Sequence, residues 1–377
     1  MSVTGVAVER VSEYSMILIY SDSSIIELEW LPKITFPDTV QISHDFIKYR
    51  DTVADTKIAF TMHRLHCDHD IDCDAYKGFE DKINHLSAIS NYVFSFESEL
   101  HDFHWQIWQQ CHHDNVYWVV PGQVNDSPMS NNIIFWGDWF KTTTLLYKQL
   151  PNKLAELAPY TIKSRMFDAL LGSPKPHRDF VYNAVQENNL QDKFIIPYGG
   201  KWNDNEFYAK DYFVWEPGVE VVGNQQPGTA GPVTYYGVDT GLSRVIPLNV
   251  FNNTAYSIIA ETDHDNTLSF FSEKTAKPMI ARRLFIAFSG YKFLQNLHAQ
   301  GFCTFGDVID ESYDLIKDDN KRYTAAFEQV KYLCTLDQQL VFEKINTVVE
   351  HNYNHIMNTD WTQFAANQIN QIVAKQT

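Results

Sequence analysis

The chain has 377 residues, enough to bury a large core and more typical of two domains than of one. Hydrophobic residues make up 44% of it and charged residues 20%, which is the composition of a folded globular protein and argues against a disordered chain. The formal net charge of −17 argues against a broad nucleic-acid surface or attachment to an anionic membrane, because both need exposed Lys and Arg.

The first third of the chain contains short apolar runs that predict β-strands. These runs occupy residues 15–22, 57–63, 91–98, 115–122 and 132–138. Helix-compatible stretches at 76–90 and 101–111 lie between some of them. Strands that alternate with helices indicate βαβ units and a parallel sheet.

The same pattern restarts after a junction between Pro151 and Pro159. Strand-like runs follow at residues 165–172, 193–200, 255–262 and 284–290, with a helix predicted at 177–188. We therefore expect an α/β fold in which two Rossmann-like domains, 1–158 and 159–345, face each other across a cleft. Residues 346–377 are predicted to form C-terminal helices that pack back on the domains.

Two further stretches have a distinct composition. Residues 201–246 are rich in Gly, Pro and aromatic side chains without a helical period, which predicts a loop or a short antiparallel excursion. From Asp318 onward, apolar residues recur at steps of three and four, which predicts helices.

The location of the protein is indicated by its first residues and by its cysteines. The start, MSVTGVAVERVSEYSMILIYSD, lacks a basic leader with a long apolar core, and no apolar run approaches the roughly 18 residues that span a bilayer. An odd number of scattered cysteines favours reduced thiols. They are Cys67, Cys73, Cys111, Cys303 and Cys334. We expect a cytoplasmic protein with no membrane partner.

The stretch SEKTAKPMIARRLFIAFSG, residues 272–290, places four basic residues together in an acidic protein. Ser272 suits the N-cap of a helix. The start of that helix would offer free N–H groups and a positive partial charge to a phosphate, and Lys274 would add a full charge there. Glu273 suits vicinal ribose hydroxyls, as an acidic residue does in dinucleotide-binding folds. The alternative is a solvated helix with an ordinary basic face.

The longer segment YSIIAET…FFSEKTAKPMIARRLFIAFSG resembles the nucleotide-sugar signature of GT-B glycosyltransferases of the fucosyltransferase and exostosin type. In that signature a strand ends in an acidic residue, and a Glu-Lys pair opens a helix a dozen positions later. The segment EKTAKPMIARRLFIAFSGYKFLQNLHAQGFCTFGDVIDESYD, residues 273–314, also resembles glycosyltransferase-like proteins of tailed bacteriophages. The resemblance implies that Glu273 binds ribose hydroxyls, that Lys274 contacts the diphosphate or the donor sugar, and that Glu261 shapes the donor pocket.

A second segment, LLGSPKPHRDFVYNAV, places His177 and Arg178 at the start of the helix predicted at 177–188. In enzymes of the family an arginine near this place neutralises the diphosphate leaving group, and a guanidinium fork suits phosphate oxygens. The alternative is an exposed arginine at a helix N-terminus, which is electrostatically unfavourable without an anion. The sequence therefore predicts that His177 and Arg178 belong to the donor site.

An inverting transferase also needs a general base that takes the proton of the acceptor hydroxyl. The carboxyl ends of the N-terminal strands offer His63, Glu97 and Asp138. The segment FSFES resembles the fucosyltransferase segment that holds the catalytic glutamate, so Glu97 is preferred. Each of the three is otherwise a strand-end polar residue or a helix cap, and a retaining enzyme would need no such base.

A rival signal lies in residues 63–74, HRLHCDHDIDCD, with alternating His and Asp that could bind a divalent metal. The spacing matches neither a zinc finger nor His-Glu-x-x-His, so a solvated loop is the preferred interpretation. A metal-dependent hydrolase centred there is one alternative function, and a non-catalytic phage structural protein is another.

Together these features predict a nucleotide-sugar-dependent glycosyltransferase whose N-terminal domain binds the acceptor and whose C-terminal domain binds the donor. No metal or other cofactor is expected, because the helix dipole, Lys274 and Arg178 would carry the diphosphate charge. The phage resemblance implies a hydroxymethylated DNA base as one acceptor, and a glycan or small molecule is the other. A DNA groove would have to be lined by Arg64, Lys175, Arg178, Lys274, Lys277, Arg282 and Arg283.

Overall fold

The computed structural model describes residues 16–36, 39–63, 74–97, 108–198, 216–222, 232–264 and 266–374. The strands are β1 Met16–Ser21, β2 Thr39–Ser43, β3 Thr56–His63, β4 Tyr92–Glu97, β5 Val116–Val120, β6 Gly122–Val124, β7 Ile133–Phe135, β8 Arg165–Ala169, β9 Phe194–Ile195, β10 Val219–Val221, β11 Pro232–Tyr235, β12 Val238–Gly241, β13 Thr254–Ala260, β14 Leu268–Phe270 and β15 Phe285–Phe288. The α-helices are α1 Phe46–Asp51, α2 Asp74–Ile89, α3 Asp138–Gln149, α4 Pro151–Ala155, α5 Pro176–Glu187, α6 Leu248–Phe251, α7 Glu273–Ile280, α8 Phe293–Ala299, α9 Asp319–Leu333, α10 Gln338–Asn358 and α11 Trp361–Val373.

The N-terminal strands form one parallel sheet in the order β2-β1-β3-β4-β5-β7. The central strand β4 is buried at every residue, as expected for a strand covered on both faces of a parallel sheet. The strand order reverses between β1 and β3, and open α/β sheets bind ligands at the carboxyl ends of the strands beside such a switch point. The prediction of a parallel α/β sheet is confirmed here.

The two faces of this sheet are covered by helices from opposite ends of the chain. Phe79, Ile83 and Leu86 of α2 pack on one face. Apolar residues of α11, including Ile369 and Val373, pack on the other. The last helix of the chain therefore completes the core of the first sheet.

A second parallel sheet has the order β15-β13-β8-β9 and is built from the C-terminal strands. Its order reverses between β8 and β13, so its switch point lies at Ala169 and Ala260, the last residues of those strands. Helix α7 packs against α3, α10 and β13 beside that point. Helices from both halves of the chain therefore position α7.

Two structural features can be compared with the domain boundaries predicted from the sequence. Phe140, Leu146 and Tyr147 of α3 precede residue 159 but share the core of the second sheet. The predicted boundary between 345 and 346 falls inside α10. The domain division itself stays a prediction.

The two sheets are joined by an antiparallel pair, β6 with β14. The main-chain N–H of Phe271 donates to the carbonyl of Pro121 at 2.9 Å, which extends this pairing by one step. Beyond its other end, Nδ2 of Asn125 donates to the carbonyls of Asn266 and Tyr291. The junction is therefore made by main-chain hydrogen bonds and by a buried amide.

The described part of residues 201–246 includes an antiparallel sheet, β10-β11-β12. This agrees with the short antiparallel excursion expected there. In the described ranges, every helix is too short or too polar to cross a bilayer.

Candidate functional site

Helix α7 begins where its sequence predicts it to begin. Oγ of Ser272 accepts a hydrogen bond from the N–H of Lys274, which is the N-cap interaction expected of a serine. The N–H groups of Thr275 and Ala276 donate to the carbonyl of Ser272. The first turn of α7 is thus closed by the residue that precedes it.

The carboxylate of Glu261 occupies the helix start where the sequence suggested a phosphate. It accepts hydrogen bonds from the N–H of Ser272 at 3.0 Å, from Oγ of Ser272 at 2.6 Å and from Oγ1 of Thr275 at 2.5 Å. The N–H of Thr262 donates to its second oxygen. The N–H groups of Lys274, Thr275 and Ala276 are bonded to Ser272 itself, so these three are not the free donors that the sequence suggested. Side chains would have to hold a phosphate instead.

Glu273 and Lys274 form an ion pair at the first turn of α7. Nζ of Lys274 lies 2.8 Å from Oε1 of Glu273 and donates to Oγ1 of Thr262 at 3.0 Å. Burial alone would raise the pKa of the Glu273 carboxyl, but the ammonium groups of Lys274 and Lys277 outweigh it and hold that pKa below its usual value. Glu273 is therefore a buried but ionised acceptor, and 20% of the Lys274 side chain stays exposed.

Lys277 lies one turn further along the same face of α7, and its side chain is buried. Burial lowers the pKa of its ammonium group to about 8, opposed chiefly by the charge of Glu273, so it is protonated at pH 7. A cavity of about 20 Å³ lies between α7 and the second sheet. Its lining includes Lys274, Lys277 and Pro278 of α7 and Asp168, Ser257 and Ala260 of the strands.

The other two basic residues of the 272–290 stretch are held by acidic partners. Arg283 is buried and pairs with Asp168 at 2.8 Å. Nε of Arg282 lies 2.8 Å from Oε1 of Glu350, and its guanidinium stacks on the ring of Tyr353. At Arg282 and Arg283 the structure therefore has neither a solvated basic face nor an exposed basic lining for DNA.

Arg178 and His177 bind the main chain at the end of β13 rather than presenting their side chains beside Glu273 and Lys274. Nη2 of Arg178 donates to the carbonyls of Ala260 and Glu261, and Nη1 donates to the carbonyl of Ser173. Nε2 of His177 lies 2.8 Å from the Glu261 carbonyl. Burial, followed by the charge of Arg178, holds the pKa of His177 well below its usual value, so the ring is neutral at pH 7. Both side chains fix the strand-end segment that carries Glu261.

On the first sheet, β5 connects β4 to the segment that enters α7. β4 pairs with β5 up to Phe96 and Val119, and Glu97 is the next residue of β4. The carbonyl of Pro121, just after β5, accepts from the N–H of Phe271, which directly precedes Ser272. The strand that bears Glu97 and the segment entering α7 are therefore linked through β5.

Glu97 itself is buried, and its Oε1 has no hydrogen-bond partner among the described residues. Burial raises the pKa of its carboxyl well above the usual value. His63 is its backbone partner on β3, although the His63 side chain lies outside the description. Asp138 is the first residue of α3, beyond β7, which lies two strand spacings or about 10 Å from β4. The three candidate bases thus lie at the same end of the first sheet, where its strands finish, but at separate positions along that end.

The His/Asp-rich segment after His63 lies outside the described residues up to position 73. Within the ranges that the structure describes, His, Cys, Asp and Glu side chains do not gather into a group that could hold a metal ion. The preferred solvated loop and the alternative metal site both stay predictions for that segment.

The sequence analysis did not predict that the candidate site includes buried charged residues. The sequence analysis places Lys277 among the cations that would line a DNA groove, although its three-residue step from Lys274 is a signal that the two share a helix face. Asp168 gave a fainter signal, a single acid within the apolar strand β8. Its partner Arg283 is 115 positions away, so only the fold brings the pair together.

Comparison with known proteins gives little beyond the architecture. Neither a protein-family model nor a curated protein matches the chain. Among solved structures, the chain is similar to the crystal structure of an alpha1,3-fucosyltransferase with GDP-fucose, at 10% sequence identity and a TM-score of 0.34. The match covers 100% of this chain and 93% of that one.

Proposed function

We propose that the protein transfers a sugar from a nucleotide-sugar donor to an acceptor hydroxyl. The observation that carries this proposal is the ionised Glu273 between Lys274 and Lys277 at the switch point of the second parallel sheet. Crevices at such points are where open α/β sheets bind nucleotides. The site offers both a hydrogen-bond acceptor for a sugar diol and cations for a phosphate.

The donor would be held by opposite charges placed side by side. The Glu273 carboxylate accepts from two vicinal ribose hydroxyls. Lys274, the more exposed cation, binds diphosphate oxygens and stabilises the charge that grows as the sugar departs. Glu261, His177 and Arg178 would act on the donor indirectly, by holding the first turn of α7 and the strand end behind it.

The acceptor proton would be taken by Glu97. Its strand is linked through β5 to the segment that leads into α7, and one of its carboxyl oxygens is unpartnered among the described residues. A raised pKa makes an ionised Glu97 a stronger base than a solvated carboxylate. His63 and Asp138 remain the other candidates, and transfer with retained configuration would need none of the three.

We propose a glycan or small molecule as the acceptor, in preference to a modified DNA base. Of the seven cations expected to line a DNA groove, Arg178, Lys277 and Arg283 are buried. The surplus of exposed charge that phosphate contacts require is correspondingly small. A cytoplasmic location, a phage source and the absence of a required metal belong to the same proposal.

Calorimetry with a panel of nucleoside diphosphates and their sugars tests the donor site. Glu273→Gln and Lys274→Met should each weaken the best ligand about 10- to 100-fold, because each removes a hydrogen bond to a charged group. Lys331→Met on α9, an exposed lysine of similar size, is the matched control and should leave affinity unchanged. A wild-type protein that binds no member of the panel would contradict the proposal and return the hydrolase and structural-protein alternatives.

A further inference from the structure

Lys277 has a hydrogen bond that connects the donor site to a distant element. Its Nζ donates to the carbonyl of Ser243 at 2.9 Å. Ser243 lies in a short 3-10 helix, Leu242–Arg244, that directly follows β12. We call the described residues 216–222 and 232–246 the ribbon. The ribbon therefore fixes the ammonium group of Lys277 from one side.

The two ends of the ribbon are anchored in the protein core. At its C-terminal end, the N–H of Ile246 donates to the hydroxyl of Tyr147 on α3. At its N-terminal end, Glu216 is buried, and its Oε2 accepts from the N–H of Asn249 on α6 at 3.4 Å. Oε1 of Glu216 has no partner among the described residues, and neither does the buried hydroxyl of Tyr235 on β11. A carboxyl that lacks a donor at one oxygen fits this site better when it is neutral.

The charged and titratable groups around Glu216 come from three elements. Tyr147 on α3 and Tyr235 on β11 face it, and beyond them lie Lys153 on α4 and Glu156 just after α4. Burial raises the pKa of the Glu216 carboxyl to about 7, Glu156 adds to the rise, and the N–H groups of α6 and the charge of Lys153 oppose it. Because the folded-state pKa is raised, anchoring is strongest below pH 4.5 and weakens as pH rises through about 7.

We infer that Lys277 is a further phosphate-binding residue of the proposed donor site, and that the ribbon holds it in place only while the buried carboxyl of Glu216 is neutral. The first part rests on the proposed function. Ionised Glu216 would draw toward solvent, the ribbon would loosen, and Ser243 would no longer hold the ammonium group. Affinity for the donor would then fall with rising pH because of the ionisation of Glu216, a group that does not contact the donor.

Hydrogen exchange on the protein without ligand tests the anchoring by itself. Glu216→Gln keeps the shape and an acceptor for Asn249 but cannot ionise. At pH 5.5, wild type and Glu216→Gln should show equal protection of residues 232–246. At pH 8 the variant should be protected about tenfold more. Glu220→Gln, an exposed glutamate on β10, should match wild type at both pH values. Equal protection of wild type and Glu216→Gln at pH 8 would overturn the anchoring role.

Calorimetry with nucleoside diphosphates tests the role of Lys277. Lys277→Met should weaken binding about 10- to 100-fold at pH 6, since it removes a charged hydrogen-bond donor. The ratio of Glu216→Gln affinity to wild-type affinity should be near one at pH 5.5 and should rise severalfold by pH 8. Binding with a ratio that stays flat would overturn the inference and leave the proposed function intact. A complete lack of binding would overturn the proposed function and the role of Lys277, while hydrogen exchange would still decide the anchoring.

Discussion

Nη2 of Arg283 lies 2.8 Å from Oδ1 of Asp168, and both side chains are buried at the centre of the second sheet. The other hydrogen bonds of Arg283 go to Oγ of Ser257, Oγ1 of Thr254 and the carbonyls of Phe251 and Tyr256. Burial raises the pKa of the Asp168 carboxyl, while the Arg283 charge favours its ionised form. Asp168 also lines the cavity that Lys277 lines, so one wall of that cavity is a member of a buried ion pair.

Asp168→Asn should destabilise the protein by about 3–5 kcal/mol, because it leaves the Arg283 charge buried without its partner. Arg283→Met should cost a similar amount for the converse reason. The double variant should be more stable than either single variant, since it leaves no unpaired charge. Urea unfolding of the three variants measures their free energies of unfolding. Lys331→Met, which removes the exposed ion pair with Glu328, is the control. A double variant as unstable as the sum of the two single variants would contradict the pairing.

Glu261→Gln should loosen the start of α7. The amide that replaces one carboxylate oxygen is a donor, and it would face the donors of Ser272 or Thr275. A loss of about 1–3 kcal/mol follows from leaving such a buried group without an acceptor. Urea unfolding and hydrogen exchange across residues 273–280 give the two measurements. Glu220→Gln is the control on an exposed glutamate. Unchanged stability and protection of α7 in Glu261→Gln would show that the Glu261 carboxylate does not hold the start of α7.

The sequence predicted those parts of the fold that leave a local signal. β4 and β13 could be predicted because strands buried on both faces are mostly apolar runs. β6 and β14 were not, because three residues carry no readable period, and their pairing is decided by how the two sheets meet. The start of α7 was predicted from Ser272, but its occupation by Glu261 depends on a strand end brought there by the fold. Local caps are visible in a sequence, whereas partners across the fold are not.

Gly137 tests how the last helix is seated against the first sheet. A Cβ added there would lie 2.7 Å from Cε3 and 2.8 Å from Cδ2 of Trp361, while its backbone φ of −74° suits any residue. Gly137→Ala should therefore destabilise the protein by about 1–3 kcal/mol through overpacking. Gly78→Ala on α2 meets nothing within 4 Å and should stabilise the protein by about 0.5–1 kcal/mol.

A companion variant separates overpacking from any other effect of the added methyl group. Trp361→Leu removes the ring that Gly137→Ala would strike, so the added methyl group should cost less in the Trp361→Leu background than in wild type. Urea unfolding of the two single variants and the double variant gives that difference. Equal costs in both backgrounds would show that Trp361 does not lie against Gly137.

Glu97→Gln is expected to raise stability and to remove transfer activity at the same time. The pKa of the buried Glu97 carboxyl lies well above its usual value, so the folded state binds a proton that the unfolded state has released. The folded state therefore loses stability as pH rises from the usual carboxyl pKa through the raised one. Gln cannot ionise, so the variant should match wild type at acidic pH and exceed it in urea unfolding at pH 8.

The same carboxyl must be ionised to accept the acceptor proton, so the transfer rate of the wild type should rise with pH through the raised pKa. Glu97→Gln should lower kcat by about 10²–10⁴-fold while nucleoside diphosphate affinity stays within about twofold, since general bases contribute in that range and Glu97 does not bind the donor. His63→Gln and Asp138→Asn are the matched comparisons at the same sheet edge. A large loss of kcat in either one, with Glu97→Gln still active, would move the base to that residue. A gain in stability at pH 8 without any loss of kcat would show that Glu97 is a buried acid with no part in proton transfer.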